Sequence, residues 1–377
     1  MGTILNLITN LEPAGAQTVL LDTLRRLDSG RHRLILGYLA GRAESLPRGS
    51  GLGTVRVIDF SCDGRFDPWV LPRIVRAIRR EHVRIVHTHL VHAGIIGKAA
   101  ARMCGVPSIT TRHYGWDRKE GTVPYRLETR LTSGSTVVIA VSRAVERYLI
   151  EKRIAAPEKI AVIENGVDAS LFDPALWGNA EEAEAEPTAQ SPSNERFVIG
   201  CAGRLAHQKG HALLLSAFAR IADRRPDAFL EIVGDGPLRR ELEDSARAAG
   251  VAPRVCFTGR IPHDAVPRRI AGWDLCVMPS LWEGFGLAAA EAMAMERAVV
   301  ASRVEGLADL VLDGVTGLLV PPRDPIALAE EVLSLMDDAP RRAEMGWRGR
   351  ERIVRSFTAD HAAARVGEIY DRVSGPR

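Results

Sequence analysis

The segment from Glu283 to Glu291, EGFGLAAAE, has the residue types best suited in this chain to bind an anionic ligand. It follows an apolar stretch at 275–279 that is typical of a buried strand. Gly284 and Gly286 carry no side chain, so a ligand can approach the backbone there. A helix starting near Gly286 offers unpaired N–H groups and a positive dipole end, which suit a diphosphate. Both carboxylates are then placed to accept hydrogen bonds from sugar hydroxyls, whereas the alternative is an ordinary glycine turn.

A second candidate segment, GRLAHQKG at 203–210, follows an apolar stretch at 197–202. Arg204 and Lys209 place two cations at a strand end, where they can neutralise a leaving diphosphate. The alternative is a solvated turn. A third turn, VGDGP at 233–237, is either a phosphate loop or a plain turn whose proline suits the first position of a helix. The chain has no Gly-x4-Gly-Lys-Ser/Thr sequence, so a Walker A loop is excluded.

The first half has fewer residues with a recognisable chemistry. Gly15 and Ala16 lie in a small-residue turn between the first expected strand and helix, where a ligand can approach the backbone. His113 closes another strand, in the run TTRHY, and can donate or accept a hydrogen bond near neutral pH. A structural role for this histidine is an equal alternative.

A metal site is not expected. Three histidines alternate in a way that resembles one: His87, His89 and His92. They lack a carboxylate or cysteine partner nearby. The chain also has no Asp-x-Asp sequence, the usual carboxylate pair that holds Mg²⁺ or Mn²⁺ on a diphosphate.

The charge is unevenly distributed along the 377 residues. Residues 1–173 have 25 lysines and arginines against 17 acidic residues, and residues 174–377 have 25 against 30. A predicted helix at 69–82 has arginines at 3–4 spacing: Arg73, Arg76, Arg79 and Arg80. A membrane surface or an anionic acceptor can bind such a face, and a solvated face is the alternative.

The cysteines and the N-terminal segment indicate the compartment. The five cysteines form no CxxC pair, which argues against a disulfide framework and a structural zinc site. The first ten residues do not resemble a signal peptide, and no apolar stretch reaches the roughly 18 residues of a transmembrane helix. We therefore expect a cytoplasmic protein, with peripheral contact at the inner face of the membrane as an additional possibility.

Short apolar runs alternate with helix-length segments, which predicts parallel sheets covered by helices on both faces. Strands are expected at 3–9, 34–39, 55–60, 85–89, 108–113, 137–142, 159–163, 197–202, 228–233, 254–258, 275–279, 298–302 and 317–320. Helices are expected near 16–28, 69–82, 91–104, 123–133, 143–152, 211–224, 237–249, 264–272, 286–296, 325–337, 341–355 and 359–374.

This alternation predicts an α/β chain of two Rossmann-like domains. The first is expected at 1–173 and the second at 196–358. The acidic, Ala/Pro/Ser-rich segment 174–195 is expected to be a linker. The amphipathic stretch at about 359–377 is expected to pack back on the first domain. If the carboxyl edges of the two sheets face each other, they form a cleft that can hold two substrates.

An ordered set of motifs resembles the GT-B glycosyltransferases of family 4, a large retaining group. The resemblance covers nearly the whole chain and is most specific in the second half. The motifs are VSRAV at 141–145, VIENGVD at 162–168, GRLAHQKG at 203–210, VGDGP at 233–237, FTGRIP at 257–262, MPSLWEGFGLAAAEAMA at 278–294 and DGVTGLLVPPRD at 313–324.

The resemblance implies that the second domain binds a nucleotide-sugar donor. Glu283 corresponds to the glutamate near the donor sugar, and Glu291 to the one that binds ribose hydroxyls. Gly203, Arg204 and Lys209 lie in the loop that binds the diphosphate. The amides beneath the phosphates are expected in one run: Gly284, Phe285, Gly286 and Leu287.

Further contacts follow from the same resemblance. Arg260 and Ile261 match the region that flanks the base. Gly15 and Ala16 match a glycine-rich loop near the phosphates and the acceptor, and His113 matches a cleft histidine close to the reacting sugar. Retention in the family is ascribed to front-face attack, in which the leaving phosphate oxygen takes the acceptor proton. We therefore expect Arg204, Lys209, Glu283 and His113 to be catalytic, with no protein nucleophile, cofactor or metal.

Three positions depart from the family pattern. The family's Gly-Gly-Ala near the start is replaced here by Ala14-Gly15-Ala16. The family's Gly-x-Pro before the strand expected at 298–302 is replaced by Glu296-Arg297-Ala298, and its Gly-Gly after that strand is replaced by Glu305-Gly306. The first and third changes put backbone contacts to phosphate in question, and the second changes a turn.

The leading hypothesis is transfer of a hexosyl-type sugar from a UDP- or GDP-sugar to a hydroxyl acceptor. The acceptor can be a saccharide, a lipid-linked saccharide or a small molecule. The alternatives are an inactive sugar-nucleotide binder or assembly partner, and a nucleotide-sugar epimerase of similar architecture. No Gly-x-Gly-x-x-Gly follows the first strand, which disfavours a dehydrogenase, and no basic-aromatic module indicates nucleic acid.

Overall fold

The computed structural model describes residues 2–12, 14–41, 52–61, 67–114, 122–177 and 196–375. The chain divides into two units, one from Met1–Gly166 with Ala359–Arg377 and the other from Val167–Thr358. Each unit has one sheet whose strands all run parallel, in the order β3-β2-β1-β4-β5-β6-β7 in the first unit and β10-β9-β8-β11-β12-β13 in the second. The strands are β1 Gly2–Asn10, β2 His32–Ala40, β3 Arg56–Asp59, β4 Val83–His89, β5 Ser108–Arg112, β6 Val137–Ala140, β7 Ile160–Val162, β8 Phe197–Ala202, β9 Ala228–Val233, β10 Val255–Gly259, β11 Leu275–Met278, β12 Val299–Ser302 and β13 Gly317–Val320.

Helices connect most of these strands, as a parallel sheet requires. They are α1 Gly15–Arg26, α2 Val70–Arg80, α3 Val91–Cys104, α4 Val123–Ser133, α5 Arg143–Glu151, α6 Pro174–Trp177, α7 His211–Arg224, α8 Arg239–Ala248, α9 Val266–Ala271, α10 Leu287–Ala294, α11 Glu305–Leu310, α12 Pro325–Asp337, α13 Ala339–Ser356 and α14 Ala359–Ser374. In the part of the chain that the structure describes, no helix is long and apolar enough to cross a membrane.

Both faces of the first sheet are buried, which explains its nearly continuous apolar strands. Ile4 and Ile8 of β1 lie in the core that includes Leu20 of α1. Leu5 and Leu7 point to the other face and join a core formed with α2 and α3. This alternation is the two-residue period of a strand, and it leaves the carboxyl ends of the strands free to carry loops.

The last helix, α14, belongs to the first unit, as its amphipathic pattern predicted. Ala362 and Val366 pack in the core beside α1. The fully buried Tyr370 donates a hydrogen bond from its hydroxyl to Asn6 Oδ1 at 2.9 Å. The C-terminal segment is therefore part of the fold of the first unit.

The first unit ends earlier than expected, at Gly166 rather than at 173. The Val167 N–H donates to Phe357 O at 2.8 Å, and Arg350 Nη1 donates to Phe172 O at 3.0 Å. These contacts attach the segment after Gly166 to the second unit. Of the expected linker 174–195, only α6 is described, and the rest lies outside the described residues.

Each expected strand occurs in the structure, with ends that differ by at most two residues. Three helical details differ. The four-residue helix α6 lies in the segment expected to be a linker and was not predicted. The short helix α11 was not predicted, because six residues give too little periodicity to recognise. The helix α8 begins at Arg239, so Pro237 lies in the preceding turn and not at the first helical position.

Candidate active site

The loops after β8 and β11 meet at the carboxyl edge of the second sheet, because these two strands pair directly. Lys209 comes from the first loop and Glu283 from the second. Lys209 Nζ donates to Glu283 Oε1 at 2.6 Å, and Ser280 Oγ donates to the same oxygen at 2.8 Å. Two residues that the sequence placed 74 positions apart are thus in direct contact.

The Lys209–Glu283 ion pair is largely shielded from solvent. Glu283 is 6% exposed, and the Lys209 side chain is 20% exposed. A charge-assisted hydrogen bond in such a place is stronger than a fully exposed ion pair. The ammonium group therefore has a fixed position and keeps donors available to an incoming anion.

Gly286 makes the turn from the Glu283 loop into α10. Its φ of +96° is in the left-handed region, and an added Cβ would lie 2.5 Å from Leu307 Cδ2. No side chain caps the helix. The N–H groups of the first turn, starting at Leu287, thus have no intrahelical acceptor and suit an anion.

Gly306 brings the loop after β12 against the Glu283 loop. A Cβ at this position would lie 2.6 Å from Glu283 O and 2.8 Å from Gly284 C. Of the altered Glu305-Gly306 pair, the glycine that the backbone contact needs is therefore retained. The exposed Glu305 occupies the first position of α11.

The remaining predicted donor-site residues differ in what they can offer a ligand. Arg204 is exposed, and its side chain has no ion pair with any described residue. The Gly203 N–H already donates to Val233 O at 2.9 Å, so Gly203 shapes the loop. The Phe285 ring is buried 5.7 Å from the Phe357 ring centroid, which leaves only its backbone for a ligand.

Glu291 has a partner that sequence reasoning missed. His263 Nε2 lies 2.8 Å from Glu291 Oε1, and the His263 ring packs against Phe172 with 5.4 Å between ring centroids. His263 follows the predicted base-flanking residues, of which Arg260 is exposed and Ile261 is half-buried. The one indication of this contact in the sequence was that His263 lies two residues after Ile261, in the region predicted to flank the base. His263 fixes the carboxylate that is expected to bind ribose.

In the first unit, the predicted residues also follow strand ends. Gly15 and Ala16 open α1 just after β1, and no side chain caps that helix. Gln17 Nε2 donates to Asn10 Oδ1 at 2.7 Å, which ties the start of α1 to the end of β1. His113 directly follows β5. These residues thus lie at the carboxyl edge of the first sheet.

His113 is half-buried beside two buried histidines, His87 and His89. Its Nε2 atom lies 3.2 Å from His89 Nδ1. Burial lowers the pKa of His113 to about 4 and that of His87 to about 3, and it lowers the pKa of His89 well below its usual range. All three rings are therefore neutral near pH 7. The third histidine of the predicted alternation, His92, is exposed instead.

Metal-binding side chains are not clustered in the described ranges, which contain no group of three or more histidines, cysteines or carboxylates that could hold an ion. Of the three alternating histidines, His87 and His89 are buried, whereas His92 is exposed.

Comparison with known proteins agrees with this geometry. The family profile described as Glycosyltransferase Family 4 matches residues 13–171, and the profile described as Glycosyl transferases group 1 matches residues 183–352. A 2-deoxystreptamine glucosyltransferase from Streptomyces kanamyceticus is 31% identical over 327 residues, which cover 81% of each protein. The chain belongs to glycosyltransferase family 4. The predicted family and enzyme class are thereby confirmed.

Two further proteins are similar to this glycosyltransferase over most of its length. An alpha-maltose-1-phosphate synthase from Mycolicibacterium smegmatis is 32% identical over 316 residues, or 78% of this chain and 80% of that protein. The solved structure of Anabaena HepE with UDP and glucose superposes with a TM-score of 0.85 at 23% identity, covering 98% of this chain and 99% of that one. The GT-B fold class of this glycosyltransferase is therefore confirmed as well.

Proposed function

We propose that this glycosyltransferase moves a hexosyl-type sugar from a UDP- or GDP-sugar to a hydroxyl acceptor, with retention and without a metal ion. The observation that carries the proposal is the Lys209–Glu283 ion pair, with its buried carboxylate, beside the uncapped start of α10. A glucosyltransferase among the relatives favours a hexose donor. The product is proposed to enter glycan, glycolipid or other glycoconjugate synthesis.

The proposed chemistry relies on stabilising charge. As the sugar–phosphate bond breaks, negative charge grows on the diphosphate, where Arg204 and Lys209 supply cations and the first amides of α10 supply donors. Glu283 holds the Lys209 ammonium in place at 2.6 Å. Arg204 can grip a phosphate through two N–H groups, because no described residue competes for it. Glu291, fixed by His263, accepts from the ribose hydroxyls.

Retention is proposed to need no protein nucleophile. The leaving phosphate oxygen takes the proton of the attacking hydroxyl on the same face of the sugar, so the enzyme orients both partners and stabilises charge. His113, at the carboxyl edge of the first sheet, is proposed to contact the reacting sugar. Because it is neutral near pH 7, it offers a hydrogen bond rather than a charge.

Thermal unfolding with UDP, GDP, ADP and their sugar conjugates, each with and without EDTA, tests the donor site. One nucleotide is expected to stabilise the protein by about 2.7 kcal/mol at a 100-fold excess over Kd, with EDTA having no effect. Loss of stabilisation in EDTA would contradict the metal-independent proposal. Isomerisation of the sugar without an acceptor would instead indicate an epimerase.

A peripheral membrane contact is proposed for the outer faces of α2, α3 and α4. The exposed residues of α2 include Arg76 and Arg79, and its N-cap residue Trp69 is 70% exposed. Met103 at the end of α3 is 60% exposed. The only carboxylate in these three helices, Glu128, is buried. Arg73 and Arg80 pair with Asp67 and Glu81, whereas Arg76 and Arg79 form no ion pair with any described residue. Such unpaired cations beside exposed apolar side chains suit an anionic lipid surface.

A further inference from the structure

The loops after β8 and β11 touch through their backbones beside the proposed donor site. Gly210, in the first loop, has a φ of +67°, and a Cβ there would lie 2.1 Å from Pro279 O. A side chain has no room in so close an approach, which explains the glycine at this position. Two residues further along the second loop, the Leu281 N–H donates to Gln208 O at 2.8 Å. Together these contacts fix the register between the two loops.

Gln208 adds a side-chain hydrogen bond to the same contact. Its Nε2 atom donates to Trp282 O at 3.0 Å. Because a backbone oxygen can only accept, the amide of Gln208 must present its NH₂ group to Trp282. The His207 ring also lies beside the Trp282 ring, with 6.0 Å between centroids. Gln208 therefore bonds to two successive residues of the second loop, once through its backbone and once through its side chain.

These two hydrogen bonds act on the peptide groups that precede Lys209 and Glu283. A peptide group is planar, so Gln208 O lies in one plane with the Lys209 Cα. In the same way, Trp282 O lies in one plane with the Glu283 Cα. A bond at either oxygen thus restrains the point from which the next side chain starts. The 2.6 Å contact between Lys209 Nζ and Glu283 Oε1 depends on both starting points.

The position of the Lys209 ammonium group follows that of the Glu283 carboxylate, because the lysine side chain is long and flexible. Without the Gln208 amide, the backbone contacts between the loops remain, but the Trp282 peptide group is free to rotate. The Glu283 carboxylate would then move, and the ammonium group would move with it. A shift of about 1 Å in a group that acts on the transition state can cost about 10²-fold in rate.

We propose that Gln208 is a positioning residue for the Lys209–Glu283 pair. Its side-chain amide holds the Trp282 peptide group, which places the Glu283 carboxylate and, through it, the Lys209 ammonium group. Gln208 acts in this way without touching the donor. The catalytic consequence rests on the proposed function, because the position of Lys209 matters for turnover only if this residue faces the diphosphate of the donor.

Gln208→Met tests the proposal, since it keeps a side chain of similar length and removes the donor. We expect kcat to fall about 10- to 100-fold, because the cation no longer lies where charge grows in the transition state. The KM for the donor should stay within about threefold, because the loops and the first amides of α10 remain in place. An unchanged kcat, or a higher KM with an unchanged kcat, would overturn the proposal.

A double-mutant cycle separates positioning from a general effect on the loop. In a Lys209→Ala background, Gln208→Met should change kcat less than about threefold, because the cation that it positions is absent. In an Arg220→Ala background, which lacks an exposed cation of α7, it should cost as much as in the wild type. Equal losses in all three backgrounds would refute a positioning role.

A spectrum of the lysine ammonium groups, recorded on the full ¹⁵N-labelled chain without substrate, separates this proposal from the proposed function. The chain has five lysines, and Lys209→Ala assigns the Lys209 signal. We expect Gln208→Met to shift or broaden this signal and Arg220→Ala to leave it unchanged. An unchanged signal in Gln208→Met would overturn the proposal.

If the wild-type protein transfers no sugar, the proposed function fails, while the spectrum still decides whether Gln208 positions Lys209. If Gln208→Met does not fold, Gln208→Ala removes the same donor and takes its place in the kinetics and in the spectrum.

Discussion

At the scale of single residues, the donor site depends on which side chains are already held in place. Lys209 contacts Glu283, and Glu291 contacts His263, whereas Arg204 has no ion pair with any described residue. The two carboxylates thus have different proposed roles: Glu283 orients the Lys209 ammonium group, whereas Glu291 is oriented by His263 to accept hydrogen bonds. This difference allows the contribution of each pair to be measured separately.

Lys209→Ala is expected to reduce turnover by about 10²-fold or more, because the growing charge on the diphosphate loses a fixed cation. Glu283 would also lose its cationic partner and keep only the hydrogen bond from Ser280. Steady-state kinetics with the donor identified by thermal unfolding measure the effect. The control is Arg220→Ala, which removes an exposed cation from α7. A folded Lys209→Ala variant with near-normal turnover would disprove the assignment.

His263→Ala is expected to weaken nucleotide binding about tenfold, because Glu291 loses the hydrogen bond that orients it. Isothermal titration with the free nucleotide measures this directly. The matched control is His92→Ala, which removes an exposed histidine from α3. Unchanged affinity would mean that Glu291 does not bind the nucleotide or is oriented without His263.

At the scale of elements, the site depends on how closely loop backbones approach each other. Gly306→Ala would place a Cβ 2.6 Å from Glu283 O, so the Glu283 loop must move. We expect a loss of about 1–3 kcal/mol in the free energy of unfolding, together with weaker donor binding. Urea unfolding and titration measure these two effects. Gly272→Ala is the control, since the nearest atom there is 3.5 Å away.

The proposed membrane contact can be tested with substitutions in helix α2. The double substitution Arg76→Glu and Arg79→Glu should greatly reduce cosedimentation with vesicles that contain anionic lipid, because each basic residue near such a surface contributes about 1 kcal/mol. The control, Arg220→Glu with Arg240→Glu, makes the same change in net charge on exposed positions of the second unit. Salt should weaken wild-type binding. Equal binding by both variants, or none by the wild type, would contradict the prediction.

Elements with a strong pattern were predictable, and contacts between distant loops were not. The strands were recognisable because their apolar runs are buried on both faces. The Glu283 motif was recognisable because its glycines and carboxylates are close in sequence. In contrast, the contact between His263 and Glu291 and the burial of Phe285 depend on tertiary packing. The first unit ends at Gly166 because Arg350, far along the chain, binds Phe172, and no local pattern indicates this.

At the scale of the whole molecule, both units bury neutral histidines. His87 and His113 lie in the first unit, and His211 lies at the start of α7 in the second. Burial lowers their pKa values to about 3, about 4 and about 4, respectively. The contribution of these neutral histidines to the free energy of unfolding is complete above the unfolded histidine pKa of about 6.5. It is lost as the pH drops toward 4, because the unfolded chain then binds more protons than the folded one.

His211 gives the cleanest test, since it is 2% exposed and neither ring nitrogen has a partner among the described residues. His211→Leu removes the group that must be neutral in the folded state. From pH 7 to pH 4.5 the variant should therefore lose about 2 kcal/mol less stability than the wild type. Urea unfolding at both pH values measures this, with His92→Leu as an exposed control. Parallel losses in wild type and variant would show that His211 does not account for the acid sensitivity of the second unit.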